Sequence, residues 1–236
     1  MPLCSKDVFH ICEQHNLVID DEARKKLELY EILLREYNKS VNLISRKDVD
    51  NIWTNHILHS LSPLLLLSFA PGLRLLDIGT GGGLPGIPIA IARPDLSISL
   101  VDSIGKKTVV LDEIVIRLGI QNVRVTNGRV ESLAGKKKYR SRFEGIVARA
   151  VAPLHDLVKW SRPLLVRDHI QIAGGTEKRG ISIPFIVALK GGDLSKEIAE
   201  ALGAIGDGNV EELDIGFSRM GIVALEGKKI VIVEYS

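Results

Sequence analysis

The sequence predicts an α/β protein with a doubly wound, mostly parallel sheet, helices on both of its faces and a helical N-terminal extension. Three observations carry this. From Leu73 onward, short runs rich in branched residues alternate with stretches of helical length, the succession that builds parallel βαβ units. The first of these runs passes into its helix through "GTGGGLPG" at residues 79–86, a glycine turn of the kind that opens a ligand crevice. Ahead of Leu73 no two-residue alternation appears, and the spacing is helical throughout.

The elements follow in order. Asp20 and Asp21 are good helix caps, and Leu27, Tyr30, Leu34, Tyr37 and Val41 recur at spacings of three and four, giving one apolar face. A second helix is expected over residues 48–61, stopped by Ser62-Pro63. Strands are then expected in "LRLLDIG", "SISLVDS", "VRVTNG", "FEGIVARA", "FIVALKG" and "KKIVIVEYS". Helices are expected in "GIPIAIARP", "KKTVVLDEIVIRLG", "LHDLVKWSRPLLV" and "SKEIAEALGAIG". Residues 167–184, interrupted by "AGGTEKRG", read as an exposed loop. The division expected is a helical cap over residues 1–70 and a ligand-binding domain over 71–236.

Composition narrows the class. The chain has 236 residues, 45% hydrophobic and 25% charged, with a net charge of +2, ordinary for a globular protein. Its longest apolar run, 64–67 with neighbours to residue 70, is far too short for a membrane span, and no basic-then-apolar leader is seen. A cytoplasmic, monomeric protein without membrane contact is expected. Cys4 and Cys12 have no further cysteine to form a framework or a zinc site. His56 and His59 lie three apart but lack a third ligand, so no metal is expected. His155, Trp53 and Trp160 read as packing or surface residues. Charge is uneven: "KKKYRSR" at 136–142 holds five bases in seven residues, a patch that suits either nucleic acid or plain solvation.

Two ligand classes use a strand, glycine turn and helix. Gly81, Gly83 and Gly86 fit G-x-G-x-x-G, and Asp102 ends the next strand where a ribose-binding acid belongs, so NAD(P) is one reading. Asp77 favours the other. It ends the first strand immediately before the turn, where a carboxylate repels a pyrophosphate but suits the amine and sulfonium of S-adenosylmethionine. Asp102 would then hold the ribose hydroxyls. Val130 and Glu131 lie past the third strand on the same rim, placed to meet adenine. Arg149, after the buried "GIVA", could hold a carboxylate, a phosphate or a guanine edge. Lys106 and Lys107, opening the helix after Asp102, could meet an RNA phosphate.

These stretches, with "YNKSVNLIS" and "HILHSL" upstream and "IVARAVAPL" and "ALKG" downstream, resemble the glucose-inhibited division protein B family of bacterial 16S ribosomal RNA guanine-N7 methyltransferases. The resemblance runs from about Tyr37 to the end of the chain. It implies a Rossmann-like class I methyltransferase domain with a helical cap, using S-adenosylmethionine on a guanine in the 530 loop of small-subunit RNA. Position by position, it implies cofactor contacts at Gly79, Leu84, Val130, Glu131 and Arg149, with Asp102 at the ribose, and RNA-facing bases at Lys190 and Lys228. His59 stands where the family usually has aspartate, and Lys228 where it usually has arginine. The chemistry is compatible, since guanine N7 has no proton to lose and needs no general base. The chain has "ARAVAP" where amine methyltransferases carry an Asn/Asp-Pro-Pro-aromatic turn, and no cysteine after Cys12 to attack a pyrimidine. Catalysis would rest on positioning, with Arg149 the residue at the reacting centre. An NAD(P) oxidoreductase, a small-molecule methyltransferase and a non-catalytic ribosome assembly factor are the alternatives.

Overall fold

The computed structural model describes residues 3–175, 177–216 and 223–235. The chain opens with α1 (Ser5–Gln14) and α2 (Asp21–Asn38). The Asp20 carboxylate accepts from the Ala23 N–H at 2.8 Å and caps α2, with Asp21 and Glu22 in the first turn. Leu27, Tyr30, Leu33 and Leu34 are fully buried on its inner face.

The next segment departs from expectation. Residues 48–61 do not form one helix that stops at Ser62-Pro63. A 3-10 turn (Arg46–Asn51) leads into a wide π-turn (Ile52–Leu58), and α3 (His59–Leu66) runs through Pro63. Proline lacks the N–H that would reach the His59 carbonyl, and the Ser62 hydroxyl donates to that oxygen instead, at 2.7 Å. Every residue of α3 is buried, so packing outweighs the local breaker.

The remainder alternates as the sequence predicts, with a short helix, α6, that it does not: β1 (Arg74–Ile78), α4 (Gly86–Ala92), β2 (Ser97–Asp102), α5 (Gly105–Leu118), β3 (Val123–Asn127), α6 (Val130–Ala134), β4 (Gly145–Arg149) and α7 (Leu154–Ser161). A small antiparallel ribbon, β5 (Ile170–Gln171) and β6 (Ser182–Ile183), precedes β7 (Phe185–Gly191), α8 (Ser195–Ile205), β8 (Gly208–Asp214) and β9 (Lys228–Tyr235). The seven-stranded sheet has the order β3-β2-β1-β4-β7-β9-β8, parallel except that β9 is antiparallel to both neighbours. The order reverses between β1 and β4, which places a crevice at their carboxyl ends.

Two further parts of the sheet region were not foreseen. β8, "GNVEELD", is an edge strand with no buried residue, so it lacks the apolar signal of the inner strands. Residues 167–184 are not simply a loop. Apart from Thr176, which lies outside the described residues, they form the ribbon and carry Arg179 inward to the carboxylates of Glu234 and Glu211.

Strand alternation sorts the interior into two cores. Leu75, Leu100, Val147, Val187, Leu189, Ile230 and Ile232 face the N-terminal helices with α4 and α5. Leu76, Ile78, Val101, Ile146, Ala148, Ile186, Ala188, Val231 and Val233 face α6, α7 and α8. The period of two therefore decides on which side of the sheet each residue at a strand's end projects.

Candidate active site at the switch point

The glycine turn joins β1 to α4, and its backbone can be made only with glycine at several positions. Gly79, Gly81 and Gly83 have φ of +64°, +58° and +94°. At Gly86, a Cβ would stand 2.3 Å from Leu100 and 2.7 Å from the Asp77 carboxylate, so glycine is what lets α4 seat against β1 and β2. Asp77 is completely buried. Its Oδ2 accepts from the Thr80 hydroxyl at 2.6 Å and the Gly86 N–H at 2.9 Å, while Oδ1 is buried with no partner. Burial pushes its pKa up to about 7, against the lowering pull of those two hydrogen bonds and of Arg149. Thus one oxygen of Asp77 stabilises the turn and the other has unused acceptor capacity.

Asp102 ends β2 at nearly full burial. One oxygen accepts from the Gly81 N–H and the other from the Ile104 N–H, both at 2.9 Å. It lines a cleft of about 150 Å3 together with Gly79, Val130 and Glu131. The cleft is completed by Ile78, Val101, Ser103, Gly128, Arg129, Val151 and Trp160. Four of the sequence-predicted cofactor positions thus surround one cavity, with Asp77 and Gly81 in the turn beside it. Leu84 is placed in the core beneath the turn, packed with the aliphatic residues of α4 and α5. Trp160, read as a packing or surface residue, lines the cleft; nothing in the spacing of α7 distinguishes it from an ordinary helix residue. The Val151 side chain lies so close to Gly79 that a Cβ there would meet it at 2.6 Å.

The N-terminal helices close the other side. The Tyr30 hydroxyl donates to the Gly82 carbonyl at 2.8 Å, inside the protein. Arg149 projects from β4 on the Val147 side of the sheet. It donates to the Asn55 carbonyl at 3.0 Å and to the His56 Nδ1 at 2.8 Å. Because guanidinium only donates, Nδ1 is the unprotonated nitrogen of His56. Burial, reinforced by Arg149, lowers the His56 pKa to about 4, and that of His59 to about 3. Lys228, at the start of β9, adds to the lowering at both. Arg149 therefore bonds to the π-turn of the N-terminal segment rather than pairing with Asp77 or Glu131.

Lys190 is the clearest departure. Its side chain is only 10% exposed. The ammonium donates to the Ala152 carbonyl at 2.9 Å and to Glu197 on α8, and Glu197 also accepts from the Leu154 N–H. Alternation along β7 turns it toward α8, opposite to Arg149. Where an RNA-facing base was expected, the side chain makes an internal tie to Ala152 and, through Glu197, to Leu154, just past Ala150 at φ +52°. Lys106 is exposed in the first turn of α5.

With this geometry in place, similarity to known proteins is informative. The family described as "GidB: rRNA small subunit methyltransferase G" matches residues 23–179. Two relatives bearing the name ribosomal RNA small subunit methyltransferase G come from Christiangramia forsetii and Porphyromonas gingivalis. The first is 42% identical, covering 77% of this chain and 79% of the relative. The second is 40% identical, covering 84% and 83%. Among solved structures, the chain is similar to Methanococcus jannaschii fibrillarin, a pre-rRNA processing protein, with a TM-score of 0.51 and 10% identity over 74% of this chain and 73% of that one. It is also similar to Aeropyrum pernix fibrillarin with natively bound S-adenosyl-L-methionine, at 0.50 and 13% over 76% and 75%. At such identities these two establish the shared Rossmann-like fold.

Proposed function

We propose a specific reaction for this chain, which belongs to the rRNA small subunit methyltransferase G family: transfer of a methyl group from S-adenosylmethionine to N7 of a guanine in the 530 loop of 16S ribosomal RNA. The observation that carries it is the acid-lined cleft at the switch point, where Asp102 and Glu131 border the cavity beside the glycine turn. Buried Asp77 has an oxygen without a partner beside the same turn. This donor-hungry set fits a ligand that brings ribose hydroxyls, an amine and positive charge, and it disfavours a pyrophosphate.

S-adenosylmethionine, when bound, supplies an electrophilic methyl on a sulfonium. The chain's part is to position. Asp102 has lone pairs left for the ribose hydroxyls after its two backbone bonds, and Glu131 with the Val130 backbone would meet the adenine. On the acceptor side, Arg149 is held by the Asn55 carbonyl and by His56. That anchoring makes it a fixed cation for orienting an RNA phosphate or a guanine edge. Two buried neutral histidines beside it add no competing positive charge, which suits a product base that itself becomes cationic. No proton need be removed from N7, so alignment of donor and lone pair is the task.

The test is mapping of N7-methylguanine by chemical cleavage of small-subunit RNA from cells with and without the protein. Loss of one cleavage in the 530 loop on deletion is expected, and an unchanged pattern overturns the assignment. Calorimetric titration with S-adenosylmethionine and with NAD tests the cofactor separately.

A further inference from the structure

Positive charge is concentrated in one part of this nearly neutral chain. Residues 124–167 hold eleven Lys and Arg against three Asp and Glu, a net +8 in a chain of net +2. Within that stretch Lys136, Lys137, Lys138, Arg140 and Arg142 are all exposed, and none forms an ion pair among the described residues. Elsewhere on the surface, cations such as Arg24, Arg74, Arg93 and Arg179 are held by carboxylates. The run begins at the cofactor cleft, because Arg129 lines that cleft and α6 leads from it directly to Lys136.

The run continues across the molecule. The N–H groups of Ser141 and Arg142 donate to the carbonyls of Pro163 and Leu164 at 3.1 and 2.8 Å. This joins the loop to a second, unassigned cleft of about 550 Å3, lined by Lys159, Arg162 and Arg167 with His169, and by one acid, Asp207. Those three cations are exposed and also free of ion pairs among the described residues. The buried Tyr235 hydroxyl, on a residue lining the cleft, has no hydrogen-bond partner.

We infer that this basic belt, from Arg129 through 136–142 to Arg162 and Arg167, is a docking track for the sugar-phosphate backbone of the RNA substrate beyond the target loop. Unpaired, solvated cations that follow a surface path away from a catalytic cleft match a polyanion of regular charge spacing, and each phosphate they neutralise releases counterions. The inference rests on the proposed function for which RNA is bound, though not for the belt itself. Methylation chemistry would be set in the cleft, and affinity and register along the belt.

The test is direct binding of small-subunit rRNA by the full chain, measured by filter retention over a salt series. Two variants remove belt charge: Lys136→Glu with Lys137→Glu and Lys138→Glu, and Arg162→Glu with Arg167→Glu. A control reverses three exposed lysines outside the belt, Lys6, Lys25 and Lys39. Each belt variant should lose at least about tenfold in affinity at low salt. The triple variant should also lower the slope of log affinity against log salt by about 2, since each single-strand phosphate contact contributes about 0.7. S-adenosylmethionine affinity, measured alongside, should stay at wild type and so report an intact fold. Equal loss in control and belt variants overturns the belt, as does wild-type binding by both belt variants. Loss confined to assembled subunits, with naked RNA bound normally, overturns it in favour of a protein contact. Wild-type binding that depends on the belt, with no methyl transfer, would retain the belt and reject the proposed reaction.

Discussion

Replacing Asp77 by asparagine removes a titration that the fold makes costly. In the unfolded chain an aspartate ionises at its ordinary 3.8, whereas in the folded protein burial holds this one to about 7. The unfolded state therefore binds fewer protons than the native state between those values, and stability falls as pH rises through that window. Below the lower value both states are protonated and the cost vanishes; above the upper one it is constant. At about 1.4 kcal/mol for each pKa unit, the cost grows by roughly 2–3 kcal/mol between about pH 5 and about pH 8. Asp77→Asn keeps the shape and an acceptor for Thr80 and Gly86 but does not titrate. Urea unfolding of both proteins at the two pH values should show the variant gaining about that amount relative to wild type at the higher pH, with all other titrations cancelling in the difference. S-adenosylmethionine affinity should move the other way and fall in the variant. Parallel stability profiles would refute the assignment of a raised pKa, and unchanged affinity would refute a role for Asp77 toward a cationic ligand.

Three further outcomes follow from contacts around the turn. Gly79→Ala places a methyl 2.6 Å from Val151 at positive φ; thermal unfolding should show a loss of about 1–3 kcal/mol, and calorimetry at least about tenfold weaker cofactor binding. Tyr30→Phe strands the buried Gly82 carbonyl and should cost about 1–3 kcal/mol in urea unfolding; no change would show that the bond contributes nothing. Glu197→Gln weakens the hold on Lys190 and Leu154, next to Val151 in the cleft lining, so steady-state methyl transfer should show a raised cofactor KM together with a lower kcat, and Glu197→Ala a larger change in both.

The fold was legible where local chemistry and tertiary context agree. The five inner strands announced themselves because their residues are largely buried and branched, and the glycine turn because Gly79, Gly81 and Gly83 need a backbone that other residues avoid. β8 stayed hidden because an exposed edge strand has no apolar pattern. Pro63 misled because the donor that rescues the helix, Ser62, is adjacent in sequence yet acts only when the helix is already packed. At the site, acids at strand ends were readable from order alone, since the carboxyl edge of a parallel sheet is where a crevice lies. Lys190 was misread because a base at a strand end carries no label for the face it takes, and its partner Glu197 becomes visible only once α8 is seen against β7.

That last error has a general physical cause. Arg149 and Lys190 end neighbouring parallel strands, and register pairs Arg149 with Leu189. Lys190 is thus one residue further on and points through the opposite face. One cation is consequently bound to the N-terminal segment and the other, through the Ala152 carbonyl and Glu197, to α8 and to the segment 152–154. Val151, just ahead of that segment, lies over Gly79 and lines the cleft with Asp102 and Glu131. The basic residues therefore divide into those the fold spends on holding the site's geometry at the rim and those it leaves in solvent along 136–142, on the way to the start of β4. The second group can take up the backbone of a polyanion without disturbing any contact that holds the site.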